Sequence, residues 1–308
     1  MNATVASATL TILSDNIARP PLKSEHGFAV WIVTPTAKIL FDTGAGPAML
    51  HNADALGIDL SEADAIVLSH GHYDHAGNLA EALRRAPSAR LVLHPEALRP
   101  RFSIRDTPKF IGMPQDARDA IAALPAERLH WITEPTAVAE GVWITGPVPR
   151  RTDFEDVGGP FFRDDAGQTP DDIPDDLSLW IDTPDGLVVC LGCCHAGVVN
   201  TLEHIGAQTG ARPVQLLVGG MHLVNADGRR LAATAADLKA RAVPRIVPCH
   251  CTGDAAAAFL IERIGPTVAQ GSAGLVLDGC ASTSLPRPQN SKARIQESEL
   301  ILNDLRIS

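Results

Sequence analysis

Residues 67 to 77 read Val67-Leu68-Ser69-His70-Gly71-His72-Tyr73-Asp74-His75-Ala76-Gly77. They place three imidazoles and one carboxylate within six residues, directly after an apolar run that reads as a buried strand. Because unpaired polar groups are costly in a core, this strand must end at a surface, where the loop can wrap a cation. Imidazole nitrogen and carboxylate oxygen suit zinc or another borderline divalent ion. We therefore predict a metal site rather than a histidine-rich polar turn. In this site His70 and His72 reach one ion, and Asp74 and His75 turn toward a second.

Three later apolar runs each end near a histidine, as expected for further ligands at the same edge of a sheet. The runs precede His195, His222 and His250, and glycines beside them let the backbone bend close to a ligand. One such histidine would more often be structural, but three of them beside the first segment favour a shared site. Two roles stay open: Cys193 as a thiolate ligand, and His222 as either a ligand or a general acid.

The composition is that of an ordinary globular protein, with 45% apolar and 20% charged residues. The net charge of −10 argues against nucleic acid or an anionic membrane as the main partner. It does not exclude a local basic pocket, and we expect a small-molecule substrate that is anionic. We find no signal peptide and no run of about 18 apolar residues, so we predict a cytoplasmic protein with reduced cysteines, whose oligomeric state is open. The candidates for an anion pocket are Arg99, Arg101, Arg105, Lys109, Arg150 and Arg151.

Two similar halves of strands and helices predict an α/β fold, a four-layer αββα sandwich with two sheets between helical layers. In the first half we predict a helix at 78–85 and strands at 10–13, 27–34, 38–41, 65–68 and 90–94. In the second half we predict a hairpin of strands 177–182 and 186–192, strands at 214–218, 245–247 and 274–277, and helices at 198–205, 231–242 and 255–264.

One domain is predicted to cover residues 1–280. Residues 95–176 are rich in proline, aspartate and glycine and have weak periodicity, so we predict an insertion over the metal edge, a lid or substrate loop. The alternative is that residues 95–176 form a solvent-exposed loop region that has no part in the site. Residues 281–308 are predicted to form a linker and a short helix near 295–302.

These motifs resemble those of the metallo-β-lactamase superfamily. The segment His70 to His75 is similar to its signature, and Asp42-Thr43-Gly44 is similar to the turn before it. Four further segments resemble the branch related to 7,8-dihydropterin-6-methyl-4-(β-D-ribofuranosyl)aminobenzene-5′-phosphate synthase: Glu25-His26-Gly27-Phe28, Gly192-Cys193-Cys194-His195-Ala196-Gly197, Gly219-Gly220-Met221-His222-Leu223 and Pro248-Cys249-His250-Cys251-Thr252-Gly253. The resemblance runs from about residue 10 to 280 and implies an αββα sandwich with metals at one edge.

The resemblance also implies a centre of one or two divalent ions, with zinc expected and manganese or iron as alternatives. The implied ligands are His70, His72, Asp74, His75, His195 and His250. Asp74 would hold a water and take its proton, and His222 would serve as acid. The residues implied to support the ligands or to bind substrate are Glu25, His26, Asp42, Arg150 and Arg151.

Two segments depart from the common hydrolases of this superfamily. There, a Gly-His motif before the hairpin supplies a ligand, and a Gly-Asp after the next strand bridges the metals. Here residues 144–150 contain no histidine, and residues 192–195 contain no aspartate. We therefore expect His195 to bind where another residue would otherwise do so. Two evenly held ions, and one tight with one weak ion, are both open.

The leading functional hypothesis is a metal-dependent hydrolase of a small phosphorylated or ester substrate. The alternative is a dihydropterin-type condensing synthase, a transferase in which pyrophosphate leaves, and it needs the same metal and anion pocket. A third hypothesis is a non-catalytic metal-binding sensor. We do not expect β-lactamase activity, because family membership does not fix the substrate.

Overall fold

Two large sheets and a small one are present in the computed structural model, which describes residues 3–279. In spatial order, the strands of the first sheet are β16 (Val276–Asp278), β1 (Thr9–Ser14), β2 (Ala29–Val33), β3 (Lys38–Phe41), β4 (Ala65–Val67), β5 (Arg90–Leu93) and β8 (Leu129–Trp131). Those of the second sheet are β15 (Ile246–Cys249), β14 (Val214–Gly220), β13 (Gly186–Leu191), β12 (Ser178–Thr183), β10 (Val142–Ile144) and β9 (Thr136–Ala139). The small sheet consists of β11 (Phe161–Phe162), β6 (Phe102–Ile104) and β7 (Pro108–Phe110).

The longer helices pack on the outer faces of the two large sheets. The first sheet is covered by α1 (Ala48–Ala55), α3 (Leu79–Arg85) and α4 (Gln115–Ala122). The second sheet is covered by α5 (Val198–Thr209), α6 (Gly228–Ala240) and α7 (Asp254–Ile264). A single turn, α2 (Tyr73–Ala76), lies between β4 and α3. The predicted αββα order is therefore confirmed.

Successive side chains along each strand face opposite sides of the sheet. This alternation produces one inner core between the two large sheets and two outer cores beneath the helices. In β3, Ile39 and Phe41 face the second sheet and join Val188 and Val218 in the inner core. Leu40, between them, faces the helices on the outer side. Both faces of such a strand are buried, and this explains why the strands read as nearly continuous apolar runs in the sequence.

The topology brings several strand ends to one edge. In the first sheet, β3, β4, β5 and β8 run parallel, and in the second sheet β13, β14 and β15 do so. His70 follows the carboxyl end of β4, and the chain segments at Cys193, His222 and His250 follow those of β13, β14 and β15. Ligands in α/β proteins bind beyond the carboxyl ends of parallel strands, so this edge is where a site is expected.

Residues 95–176 differ from the predicted insertion. β8 extends the first sheet, β9 and β10 extend the second, and α4 packs in the outer layer. These strands are only three or four residues long, too short to show a period in the sequence. Outside the two large sheets lie the β6–β7 hairpin and most of residues 146–176, which meet in the small sheet through β11.

Three other predictions concern the C-terminal residues, the state of the cysteines and membrane-spanning helices. The predicted linker and helix at 281–308 lie outside the described residues. The five cysteines between residues 3 and 279 are free thiols. No helix in that same range has both the length and the apolar character needed to cross a bilayer.

Candidate metal centre

Three buried histidines from the two sheets converge on one point, and we call His70, His72 and His195 the first ligand group. The Nε2 atom of His70 lies 2.9 Å from the Nδ1 atom of His72. The ring centroids of both lie 5.0 Å from that of His195. The Nε2 atom of His195 is buried and has no hydrogen-bond partner, although buried polar atoms are nearly always satisfied. A metal ion at this point would satisfy it, so the group fits a cation.

Asp74, His75 and His250 form a second ligand group beside the first. The Nε2 atoms of His75 and His250 lie 3.3 Å apart, and the Oδ2 atom of Asp74 lies 3.2 Å from the Nε2 atom of His250. Two nitrogen ligands on one tetrahedral zinc ion lie roughly 3.3 Å apart. The spacings in the second ligand group therefore fit a shared ion. The structure brings together all six side chains for which the sequence predicts a ligand role.

The backbone at this edge is unusual, because four non-glycine residues at strand ends have a positive φ. The angles are 59° at Asp42, 60° at Cys194, 44° at His222 and 47° at His250. Each such residue costs on the order of 1–3 kcal/mol, and such conformations cluster where function requires them. Their position at the ends of β3, β13, β14 and β15 is consistent with a functional site at this edge.

Hydrogen bonds on the far ring nitrogen orient two of the ligand histidines. The Nδ1 atom of His195 donates to the Val157 carbonyl at 2.8 Å. The Nδ1 atom of His250 donates to the Asn16 Oδ1 atom at 2.9 Å. Each bond places the proton on Nδ1 and leaves the lone pair of Nε2 facing the centre, as in histidines that bind metals.

Asp42 connects the two ligand groups. Its Oδ1 atom accepts the backbone N–H of Ser69 at 2.7 Å, and its Oδ2 atom accepts the Ser69 hydroxyl and the Nδ1 atom of His75, both at 2.7 Å. The Ser69 hydroxyl lies 2.9 Å from the Nδ1 atom of His70. Asp42 therefore fixes one ring in each group. Ser69 is not among the residues predicted from the sequence, although its position directly before His70 is a signal.

Burial keeps the first ligand group neutral. It lowers the pKa of His72 to about 3 and lowers the pKa values of His70 and His195 well below the usual range. These rings therefore offer free lone pairs at neutral pH, the form that binds metal.

Asp74 and His75, in the second ligand group, are charged in the absence of a cation. Burial lowers the pKa of His75, but the Asp42 carboxylate outweighs it and raises that pKa to about 9. Burial raises the pKa of Asp74, but the contacts of its carboxylate with the His250 and His26 rings outweigh this effect and lower that pKa well below the usual value. Binding of a cation at neutral pH would therefore release a proton from His75.

His222 lies against the first ligand group. Its ring centroid is 4.1 Å from that of His195, and its buried Nδ1 atom has no hydrogen-bond partner. Gly158 packs on the ring, since a Cβ atom there would lie 1.8 Å from the Cδ2 atom of His222. Phe161 lies 5.4 Å, between centroids, from both His72 and His195. Part of the predicted lid, residues 157–162, thus covers this side of the centre.

A buried ion-pair network supports the loop between His70 and His72. The Nε atom of Arg101 lies 2.8 Å from the Asp171 carboxylate, and its Nη1 atom lies 2.8 Å from that of Asp175. Asp175 also accepts the backbone N–H of Gly71 at 2.8 Å. Arg101 is therefore not a member of an open anion pocket. This support cannot be predicted from local sequence patterns, because Asp175 lies 104 positions after Gly71.

The sequence predicts that Glu25 and His26 both orient ligand imidazoles, but the two side chains contact different parts of the structure. The Glu25 carboxylate accepts the Ser14 hydroxyl at 2.9 Å and the backbone N–H of Ala48 at 3.2 Å, so it supports the start of α1 instead. The Nε2 atom of His26 lies 3.3 Å from the Oδ2 atom of Asp74. His26 therefore borders the second ligand group from the solvent side.

Arg150 and Arg151 do not form the expected phosphate pocket. The guanidinium of Arg150 donates to the backbone carbonyls of His195, at 2.6 Å, and Asp172, at 2.9 Å. The side chain of Arg151 is exposed, and its backbone N–H donates to the Asn200 side chain at 2.8 Å. Arg150 thus holds the loop of a predicted ligand.

Comparison with known proteins gives a family for this fold and site. The family model described as the metallo-beta-lactamase superfamily matches residues 24–190, which is more than half of the chain. The chain belongs to this superfamily. The superfamily fold implies binding of divalent metal, and clusters of histidine, cysteine and aspartate side chains that could hold an ion lie at the edge described above.

Individual members of the superfamily are similar over most of the chain. The 7,8-dihydropterin-6-methyl-4-(β-D-ribofuranosyl)-aminobenzene-5′-phosphate synthase of Methanocaldococcus jannaschii is 27% identical over 256 residues, covering 79% of this chain and 86% of the relative. The crystal structure of Tm1679, described as a metal-dependent hydrolase of the β-lactamase superfamily, has a TM-score of 0.74 and 29% identity, covering 90% of this chain and 100% of the other. The metallo-β-lactamase fold protein YhfI from Bacillus subtilis has a TM-score of 0.52 at 12% identity, with 89% and 100% covered, and shows the fold alone.

The two sequence differences from the common superfamily hydrolases concern His195 and Cys193, whose ligand atoms lie in the same cluster. His195 completes the first ligand group, for which the segment at 144–150 offers no histidine. Cys193, at the position of the expected aspartate, points into the centre, where its Sγ atom lies 3.0 Å from the Nε2 atom of His75.

Proposed function

We propose that this protein is a metal-dependent hydrolase of a small anionic substrate, either a phosphorylated compound or an ester. The observation that carries the proposal is the pair of buried ligand groups at one edge, with the lone pairs of His195 and His250 held toward a common centre. Tm1679, 29% identical and matched over its whole length, is described as a metal-dependent hydrolase. That description supports the same activity here.

Several residues at this edge have separate roles in the proposed hydrolysis. A divalent ion bound here would polarise a substrate oxygen and lower the pKa of water toward neutrality. Asp74, ionised at neutral pH, accepts a hydrogen bond and orients the attacking water. His222, whose Nδ1 atom has no protein partner, is placed to donate a proton to the leaving group. Phe161 and Gly158 exclude water from the side on which His222 lies.

Lys109 is the cation that we propose for substrate binding. It lies in the exposed strand β7, and its Nζ atom is 5.4 Å from the ring centroid of Tyr73, a cation–π contact. Tyr73 directly precedes Asp74, so this charge lies close to the mouth of the centre. It takes the role first assigned to Arg150 and Arg151.

A condensing synthase that acts on a pterin pyrophosphate is the second candidate. It is supported by the M. jannaschii synthase, of which the alignment covers 86%. In this reaction, divalent ions bound by the same ligand groups would activate the pyrophosphate leaving group, and Lys109 would bind part of its charge. A non-catalytic metal sensor is the third candidate.

Parallel assays of the zinc-loaded protein distinguish the candidates. Turnover of a nitrophenyl phosphodiester or carboxylic ester without a pterin would support the hydrolase. Product that forms only from a dihydropterin pyrophosphate and a ribofuranosylaminobenzene phosphate would support the synthase. A fully loaded protein without turnover in either assay would contradict both enzymes and favour the sensor.

Two histidine variants test the catalytic assignment. His222→Asn should lower kcat by about 10²-fold or more while the metal content stays that of the wild type, because a general acid contributes about 10²–10⁴-fold. His51→Asn is the matched control, since His51 lies in α1, binds the Pro21 carbonyl and belongs to neither ligand group. Loss of metal from His222→Asn would make His222 a ligand and contradict its role as the acid.

A further inference from the structure

We propose that the Cys193 thiolate bridges the two metal positions and is a seventh protein ligand. The proposal rests on the metal centre and is independent of which reaction the centre performs. It concerns a residue two positions after the carboxyl end of β13, whose sulfur lies close to histidines of both ligand groups.

The position of the Cys193 sulfur carries the assignment. Three groups of mutually close ligand atoms, all within 4.8 Å of one another, contain it: with His70 and His75, with His195 and His222, and with His250 and Cys251. It therefore reaches ligand atoms of two histidines from the first ligand group and two from the second. Cys193 is 2% exposed, so the sulfur lies inside the centre and not at its rim.

The ligand atoms around Cys193 fit a shared sulfur. Its Sγ atom lies 3.0 Å from the Nε2 atom of His75. A sulfur and a nitrogen bound to one tetrahedral zinc ion lie roughly 3.6 Å apart. The Nε2 atom of His195, on the other side, is buried without a partner and faces the same space. One thiolate can thus complete both positions.

The other described cysteines have different surroundings. Cys190 and Cys249 pack in the inner core between the sheets. The Sγ atom of Cys194 lies 3.3 Å from the Thr201 hydroxyl, on α5. Cys251 reaches the centre from the second ligand group, and its thiol donates to the Cys193 carbonyl at 3.5 Å. Of the thiols between residues 3 and 279, Cys193 alone lies close to both groups.

A bridging thiolate would change the metal preference of the centre. Soft thiolate favours zinc and other thiophilic ions, whereas carboxylate and water favour manganese and magnesium. Together with Asp74, the thiolate would also supply two negative charges to the pair of divalent ions. We therefore expect zinc or iron to be retained and manganese to be displaced.

Cobalt substitution tests the proposal without an activity assay. The full-length protein loaded with Co²⁺ should show a near-ultraviolet thiolate-to-cobalt charge-transfer band. The band should be lost in Cys193→Ser and in Cys193→Asp, and kept in the adjacent control Cys194→Ser and in Cys251→Ser. Metal content measured on each sample separates loss of the sulfur ligand from loss of the ions. Cys193→Asp should keep both ions, because a carboxylate can bridge in place of sulfur.

X-ray absorption at the zinc edge of the wild type distinguishes a bridge from a terminal ligand. A bridge gives a sulfur neighbour at roughly 2.3 Å with about one sulfur per zinc, and a terminal thiolate gives about half. A count of one half, bound cobalt without the band, or a band that survives in Cys193→Ser would overturn the proposal. If neither Cys193 variant folds, this count on the wild type still decides it. A wild-type protein that binds no metal would overturn the centre and the bridge together.

Discussion

Replacement of Arg101 by methionine should destabilise the protein strongly. Arg101 is 1% exposed and forms ion pairs with Asp171 and Asp175, whose carboxylates are also buried. Methionine fills much of the same volume but carries no charge, so Asp175 loses its counterion inside the protein and Asp171 keeps only the partly exposed Arg163, 3.5 Å away. Asp175 also binds the backbone N–H of Gly71, and the loop between His70 and His72 should become looser.

The magnitude follows from the burial of these charges. Removing one partner of a buried ion pair costs about 3–5 kcal/mol, a large part of a total stability of about 5–15 kcal/mol. Burial raises the pKa of Asp175, but Arg101 outweighs it and holds that pKa below the usual value. In Arg101→Met this pKa should rise. Because protonation then removes the buried charge, the stability deficit of the variant should shrink as the pH is lowered.

Urea unfolding at pH 7 measures the effect. Arg99→Met is the control, because Arg99 is an exposed partner of Glu96 and should change the unfolding free energy by less than about 1 kcal/mol. Asp175→Asn added to Arg101→Met should recover part of the loss, since the amide carries no charge. A loss below about 1 kcal/mol in Arg101→Met, or further destabilisation by Asp175→Asn in that background, would refute the reasoning.

Three further variants probe the surroundings of the centre. Asp42→Asn removes the charged acceptor of His75 and should weaken zinc affinity about 10–100-fold in a chelator competition; unchanged affinity would contradict the role of Asp42. Gly71→Ala should cost about 1–3 kcal/mol in thermal unfolding, because its Cβ atom would lie 2.0 Å from the Ala97 carbonyl, and a neutral result would mean that the loop can move away. Burial raises the pKa of Glu155 above its usual 4.5, so the folded state binds this proton more tightly and stability falls as the pH rises above 4.5. Glu155→Gln should therefore show a smaller fall of the unfolding free energy as the pH rises above 4.5. An unchanged slope of unfolding free energy against pH would contradict this role of Glu155.

The sequence predicts the layered fold and the ligand set because both depend on local patterns. The run before His70 is apolar on both faces, and the polar cluster after it can only lie at a strand end. The same pattern recurs before His195 and His250, and parallel strands bring such ends together. Family resemblance supplies the sandwich that joins the two halves.

What the sequence does not predict is set by short elements and by contacts between distant segments. β8, with two partly buried residues and one exposed residue, has no period to detect. The Nδ1 partners of His195 and His250 lie 38 and 234 positions away, at Val157 and Asn16. The sequence predicts the same role for Glu25 and its neighbour His26, but adjacent side chains can point in different directions, and the Glu25 carboxylate faces α1.

Anomalous diffraction at the zinc edge, from crystals grown with zinc, tests the proposed centre most directly. The account predicts two peaks, one within about 2.1 Å of the facing nitrogens of the first ligand group and one beside the second. The decisive contact is the Nε2 atom of His195, which has no protein partner and must bind the first ion. Two peaks with His195 bound would support the account, and a single peak, or a first ion that His195 does not bind, would contradict it.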